Sequence, residues 1–284
     1  MKKQIIWLLF SILITSMLSS CIQNTIKTNE KDFTKRYFLE TDTSKGSLNV
    51  DIEVEFPVAY RDKKVLDSIR SRIISNVFGD EYVSLPNDSI IPRFTNDIYV
   101  DYIDNNRPLL SKLEKGSPYK FNNEHVVSGY SLLSDKNIYV YGIDRYVFMG
   151  GAHGLETRDF LNFDLSTGKL ITEKDLFIDD YPVLLSDLIK KRIVEQSQED
   201  NDREPILDLE NTDYWTDSIK PNGNFYITDE SINYVFNPYE IAPYALGQTE
   251  ISLPFERLRD ILKPNGLIEY LIEKHAEQVK MTKP

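Results

Sequence analysis

Gly150-Gly151-Ala152-His153-Gly154 sets one imidazole among glycines, the densest chemical signal in the chain. Adjacent glycines permit positive φ and close approach of other groups. Beside so open a backbone, His153, with Gly150 and Gly151, is a candidate ligand- or metal-contacting group. The plainer reading is a turn or bulge between strands, with His153 hydrogen-bonded in place. A catalytic metal needs about three protein ligands. His125, His153 and His275 are the only histidines, and their spacing fits no helix-borne metal motif. The acidic stretch 199–217 has carboxylates of the kind calcium takes, but reads more simply as a solvated loop. No metal site is assigned, and no cofactor is expected.

The second constellation is Asn237-Pro238-Tyr239-Glu240-Ile241-Ala242-Pro243-Tyr244. Two prolines fix backbone angles. Tyr239 and Tyr244 offer rigid amphipathic surface suited to recognising a protein or a sugar, and Glu240 stands between them. The bland alternative is a rigid connection packed over a sheet, with Glu240 pairing locally. Nucleophilic catalysis finds little support: there is no GxSxG elbow, no GxGxxG and no P-loop. His153 has the chemistry of a general base, yet no neighbour in sequence identifies its partner. No catalytic residue is assigned.

Cys21 is the only cysteine. Lys2 and Lys3 precede an uncharged apolar run from Ile5 to Met17, and Leu18-Ser19-Ser20 leads into Cys21. That order is a secretory signal ending in a lipobox. The run is shorter than the ~20 apolar residues of a membrane-spanning helix. The resemblance to bacterial lipoproteins implies cleavage before Cys21 and acylation of its sulfur and freed amine, which holds a protein stably at a bilayer. Residue 22 is isoleucine rather than aspartate, so the usual inner-membrane retention signal is absent. The expected location is the cell envelope, at the outer membrane, facing periplasm or surface.

Asp and Glu total 45 against 33 Lys and Arg, a net charge of −12, and loss of Lys2 and Lys3 makes the remainder more acidic. Such a chain is a poor binder of nucleic-acid backbones. Its charge attracts basic partners. With no second cysteine, the fold must stand on its core. Aromatic residues, at 12%, favour β-rich structure.

The elements follow from periodicity. Residues 1–20 are the signal and 21–46 a polar tether. An N-terminal α+β subdomain spans 47–120, and a second one spans 121–284. Leu48, Val50, Ile52, Val54 and Phe56 alternate with polar residues, predicting a strand ended by Pro57. Helical spacing predicts helices over 63–78, 94–113 and 180–196, with a loop over 84–93. Strands are predicted over 125–133, 137–149, 155–165, 224–228, 231–236 and 249–253, then helices over 254–262 and 267–280. Strands joined by hairpins rather than alternating with helices argue for α+β with antiparallel sheets.

Three stretches resemble a known family in order and spacing. They are Val147 to Gly154; Phe160 to Asp164 with Thr167-Gly168-Lys169 and Asp175-Leu176-Phe177; and Phe225 through Tyr244. Together they look like the PdaC/RsiV-like extracytoplasmic module, over about 125–262. A fainter N-terminal likeness covers 48–78. The resemblance implies an envelope-facing recognition module of two α+β subdomains, the second long catalogued as a domain of unknown function. Family members include anti-sigma factors whose outer part recognises lysozyme, and a polysaccharide deacetylase in which the module accompanies a separate catalytic domain. A sigma-binding segment and a deacetylase domain find no place in this sequence. The expectation is therefore a non-catalytic lipoprotein binding a basic protein such as lysozyme, or a cell-wall glycan. The alternatives are a polysaccharide-acting hydrolase and a structural lipoprotein. Oligomeric state stays open.

Overall fold

The structure, a computed structural model, describes residues 24–113, 120–199 and 205–282. The signal segment and Cys21 lie outside these. Among the described residues no helix is long and apolar enough to cross a membrane.

The chain begins with a hairpin of β1 (Lys27–Phe38) and β2 (Ser47–Ala59), followed by α1 (Lys63–Val77) and α2 (Asn87–Leu110). Next come β3 (Asn123–Ser134), β4 (Ile138–Phe148), β5 (Leu155–Asp164) and the short β6 (Lys169–Leu170). The single turn α3 (Glu173–Leu176) leads into α4 (Tyr181–Glu199). Then follow β7 (Phe225–Ile227), β8 (Ser231–Phe236), β9 (Thr249–Pro254), α5 (Phe255–Leu258) and α6 (Glu269–Thr282). Strands β1 to β6 form one sheet in chain order, and β7-β8-β9 form a second. The fold class is α+β.

The six-stranded sheet is the middle layer. On β4, Tyr139, Tyr141 and Ile143 face a core built with β2, α1 and α2. Ile138 and Val140 point the other way, into a core with α4 and the three-stranded sheet. This is period-two alternation with both faces dry, so β4 reads as a continuous apolar run.

Four expectations change. Residues 27–38, assigned to a tether, form β1, paired with β2 along its length. Only Phe33 and Tyr37 bring apolar rings to the core, and Tyr37 stacks on Tyr99 at 4.7 Å. The charges around them, Lys31, Lys35 and Arg36, belong to an edge strand guarded against further pairing, and they hide its alternation. Pro57 does not end β2. It pairs with Thr28 beside a register shift on β1, where a missing N–H is tolerated. Pro92, placed in a loop, lies inside α2. Its ring is exposed, as is Asp88, whose carbonyl loses a helical partner and faces water. Finally, the larger sheet is mixed, because β2 runs parallel to β3, Leu48 facing Asn123. Helices α1 and α2 form the crossover that a parallel pair requires. The sheet thus runs continuously across residue 120, where the sequence divides into two subdomains.

Tyrosine hydroxyls, one buried and one half-buried, brace this arrangement. Tyr102 on α2 donates to the Phe121 carbonyl at 2.8 Å, and burial pushes its pKa up to about 12. Tyr130 donates to Asp144 at 3.0 Å and is likewise pushed to about 12, chiefly by burial and then by the Asp144 charge. An unfolded tyrosine titrates near ~10. The stabilisation is therefore complete below about pH 10 and is lost as pH rises through about 12. Urea-unfolding midpoints should hold level up to about pH 9 and fall steeply beyond about pH 10. A level profile up to pH 12 would contradict this coupling.

Candidate functional site

The β4–β5 connection carries the glycine–histidine motif. Gly150 (φ 90°) and Gly151 (φ 100°) take left-handed backbone. A Cβ on Gly151 would meet open space, so the torsion rather than crowding requires glycine there. Gly154 is different: a Cβ would come within 2.4 Å of the Tyr146 ring, which covers it.

The loop from β8 to β9 carries the tyrosines. Tyr239 has φ 71°, rare for a bulky side chain. It is held by Tyr239 N–H to the Ala242 carbonyl (3.2 Å) and Glu240 N–H to the Asn237 carbonyl (3.0 Å). Glu240 accepts from Asn237 N–H (3.1 Å) and Asn222 Nδ2 (2.9 Å). Its carboxylate serves as a clamp for the turn, as the local-pairing alternative proposed.

Tertiary structure brings the two motifs together. The rings of His153 and Tyr244 stack at 3.8 Å and 18°. Tyr244 Oη donates to the Gly154 carbonyl at 2.9 Å. Tyr239 lies 5.8 Å from Tyr244, ring centre to ring centre, and is 55% exposed. His153 Nδ1 lies 3.0 Å from the Gly154 carbonyl. The product is an aromatic platform of His153, Tyr244 and Tyr239 on the glycine loop. Exposed Met149 and Leu155 stand at the loop's two ends. Trp215, 43% exposed, is tied to the β8–β9 loop by Trp215 N–H to the Ile241 carbonyl (2.8 Å). Sequence reasoning passed over Trp215, though a tryptophan in a polar stretch was a signal. The other histidines are elsewhere. His125 is on β3, its pKa lowered by burial despite Asp101, and His275 on α6 is 3.4 Å from Glu256. Among the described residues, no group of three or more His, Cys, Asp or Glu is placed to hold a metal ion.

What fixes the platform is a set of side-chain carboxamides. Asn237 accepts from Arg158 N–H on β5 (2.8 Å) and donates to the Arg158 carbonyl (3.1 Å). Asn224 accepts from Phe160 N–H (3.1 Å) and donates to the Arg158 carbonyl (2.8 Å). In return, buried Asn162 on β5 donates to the Phe225 carbonyl (2.6 Å) and accepts from Ile227 N–H (3.1 Å) on β7. Each carboxamide supplies one donor and one acceptor, like a peptide group. The two sheets are thus joined edge to edge without a ladder between them. Nothing in the local sequence distinguished these asparagines from loop residues.

At the far side of the larger sheet, the outer face of β1 and β2 is acidic. Glu30 lies opposite Glu55 and Asp32 opposite Glu53. Like charges in such positions repel, and the Glu30 carboxyl is pushed above its ordinary range, chiefly by Glu53. Nearer the small sheet, Arg158 sits 3.6 Å from both Asp144 and Glu250.

Fold and site together define an α+β module that presents an aromatic loop platform. Residues 174–256 match the family described as a protein of unknown function, DUF3298. The chain is 31% identical to the anti-sigma-V factor RsiV of Bacillus subtilis over 105 residues, 36% of each chain. It is 25% identical to the peptidoglycan-N-acetylmuramic acid deacetylase PdaC of the same organism over 142 residues, 50% of this chain and 29% of that one. This chain therefore spans about a third of the length of these curated relatives. A crystal structure of a DUF3298-family member from Bacteroides fragilis superposes with TM-score 0.79 and 27% identity, over 87% of this chain and 97% of that one. Another, from Pseudomonas aeruginosa, shares the fold at TM-score 0.51 and 17% identity, over 84% and 95%. The resemblance to the PdaC/RsiV-like module read from the three sequence stretches is therefore shown.

Proposed function

We propose that this chain is a non-catalytic recognition module of the cell envelope, anchored through lipidated Cys21 at the outer membrane, that binds a basic protein of the lysozyme type. The observation that carries the reading is the meeting of His153, Tyr239 and Tyr244 in one platform, with His153 and Tyr239 exposed over a half-buried Tyr244. Rigid aromatic groups that surrender little rotamer freedom are the usual anchors of a binding surface. The acidic face of β1 and β2 and the net charge of −12 favour a cationic partner and speed its approach. The family likeness brings in lysozyme; a cell-wall glycan is the other ligand an aromatic platform suits.

Immobilised lysozyme should retain the chain at low salt and release it progressively as salt rises. His153→Ala and Tyr244→Ala should each weaken retention by about tenfold or more, the loss expected on truncating an anchor, with the circular dichroism spectrum unchanged. No retention at low salt would remove lysozyme, and retention on purified peptidoglycan instead would assign the platform to glycan. A soluble form must keep β1 whole and so begin ahead of Lys27.

A further inference from the structure

The second sheet ends on β9, and side chains rather than a strand close its outer edge. Gln196 of α4 donates from Nε2 to the Glu250 carbonyl (3.0 Å) and accepts at Oε1 from Ser252 N–H (2.9 Å). Arg192 donates from Nε to the Ser252 carbonyl (3.1 Å). Glu199 holds that guanidinium from behind, at 2.8 and 2.9 Å. Gln196 engages the carbonyl before Ile251 and the amide after it, the two groups a residue of an added parallel strand would take. The protein thus already seats a peptide-like group on this edge.

The closure is partial. The Glu250 N–H points to the same side and has no partner among the described residues. A groove of about 430 Å³ opens beside it, between α4, the segment 206–214 and β9. Ile193, Ile206, Leu246 and Ile251 supply apolar lining, and Asp213 supplies an exposed carboxylate, while that of Glu250 is turned to Tyr226 and Arg158. Among the described residues no Lys or Arg lines it. We propose that the β9 edge accepts an extended peptide segment with alternating apolar and basic side chains, paired through its backbone and seated in this groove. Backbone pairing provides affinity, the lining accepts alternate apolar side chains, and Asp213 with the chain's net charge of −12 favours lysine or arginine. This surface is separate from the aromatic platform, and either stands without the other.

The test uses the full chain in detergent and a fluorescein-labelled peptide, acetyl-Lys-Val-Lys-Val-Lys-Val-Lys, followed by fluorescence anisotropy. A second peptide of equal charge, N-methylated at alternate residues, cannot pair with a strand. The plain peptide should bind, and N-methylation should weaken it by about tenfold or more, the loss of a few backbone hydrogen bonds. Gln196→Ala, which uncovers the Glu250 carbonyl and Ser252 amide, should tighten binding of the plain peptide alone. Glu250→Pro removes an amide that serves no ladder and should abolish the difference between peptides, whereas Glu250→Gln, which keeps the amide and loses only the charge beside Tyr226 and Arg158, should preserve it. Equal binding of the two peptides to the unaltered chain, or binding of neither, would overturn the proposal. So would a folded Gln196→Ala protein that binds no more tightly.

Discussion

Replacing Asn162 with alanine lowers the unfolding free energy by about 2–6 kcal/mol, because two buried backbone groups lose their partner at ~1–3 kcal/mol each. Asn162 is 3% exposed, and the groups it serves belong to Phe225 and Ile227, which are buried as well. Water cannot replace the carboxamide without opening the seam between the sheets. Asn162→Asp should cost more than alanine. It keeps the shape, but loses the donor to the Phe225 carbonyl and buries a charge. Urea denaturation measures the effect. Trp215 and Trp7 are the chain's two tryptophans, and Trp215 is the one among the described residues, so its fluorescence reports the loop beside the small sheet. A change below about 0.5 kcal/mol, the scatter of surface substitutions, would show that the seam does not depend on this side chain.

The second large effect is expected at the centre of the larger sheet. Tyr141→Ala should cost about 3–5 kcal/mol, the range for deleting a buried aromatic side chain. Tyr141 is fully buried and donates to the Glu55 carbonyl at 3.0 Å across β3. Its hydroxyl lies over Gly129, where a Cβ would come within 2.3 Å of the oxygen. Two companion variants separate ring from hydroxyl. Tyr141→Phe should lose only about 1 kcal/mol, the net worth of one hydrogen bond. Gly129→Ala should cost about 1–3 kcal/mol by overpacking, and combining it with Tyr141→Phe should recover part of that loss. Additive losses in the double variant would show that the two positions do not touch.

These two positions show what kind of information a sequence carries. Tyr141 was legible as a core residue, because the run from Ile138 to Ile143 is apolar and bounded by turns. Its neighbour Gly129 was not, since the match between a missing Cβ and a phenol hydroxyl exists only in the pairing of β3 with β4. Asn162 was less legible still. In sequence it is a polar residue inside a strand, and only the approach of β7 gives it groups to serve. The strand β1 escaped notice for a related reason. Edge strands carry charge where central strands carry apolar side chains, so alternation fades where pairing ends. Pro92 misled because the residue before a proline avoids helix as a rule, whereas here the lost hydrogen bond faces water.

The candidate site divides along the same line. Sequence marked Gly150, Gly151, His153, Tyr239, Glu240 and Tyr244 as two separate motifs. The structure sets His153 on Tyr244 and Tyr239 near both, and turns Glu240 to the service of its own loop.

By itself, the sequence determined the acidic charge, most of the helices and strands, and the residue types available for recognition. These rest on composition and on spacings of a few residues, which local backbone geometry translates directly into elements. Only the tertiary structure decided that two motifs form one platform, that carboxamides join the sheets, and that β2 runs parallel to β3. Each of these needs groups far apart in the chain to reach hydrogen-bond or ring-stacking distance, and no local periodicity encodes which distant partner a side chain will meet.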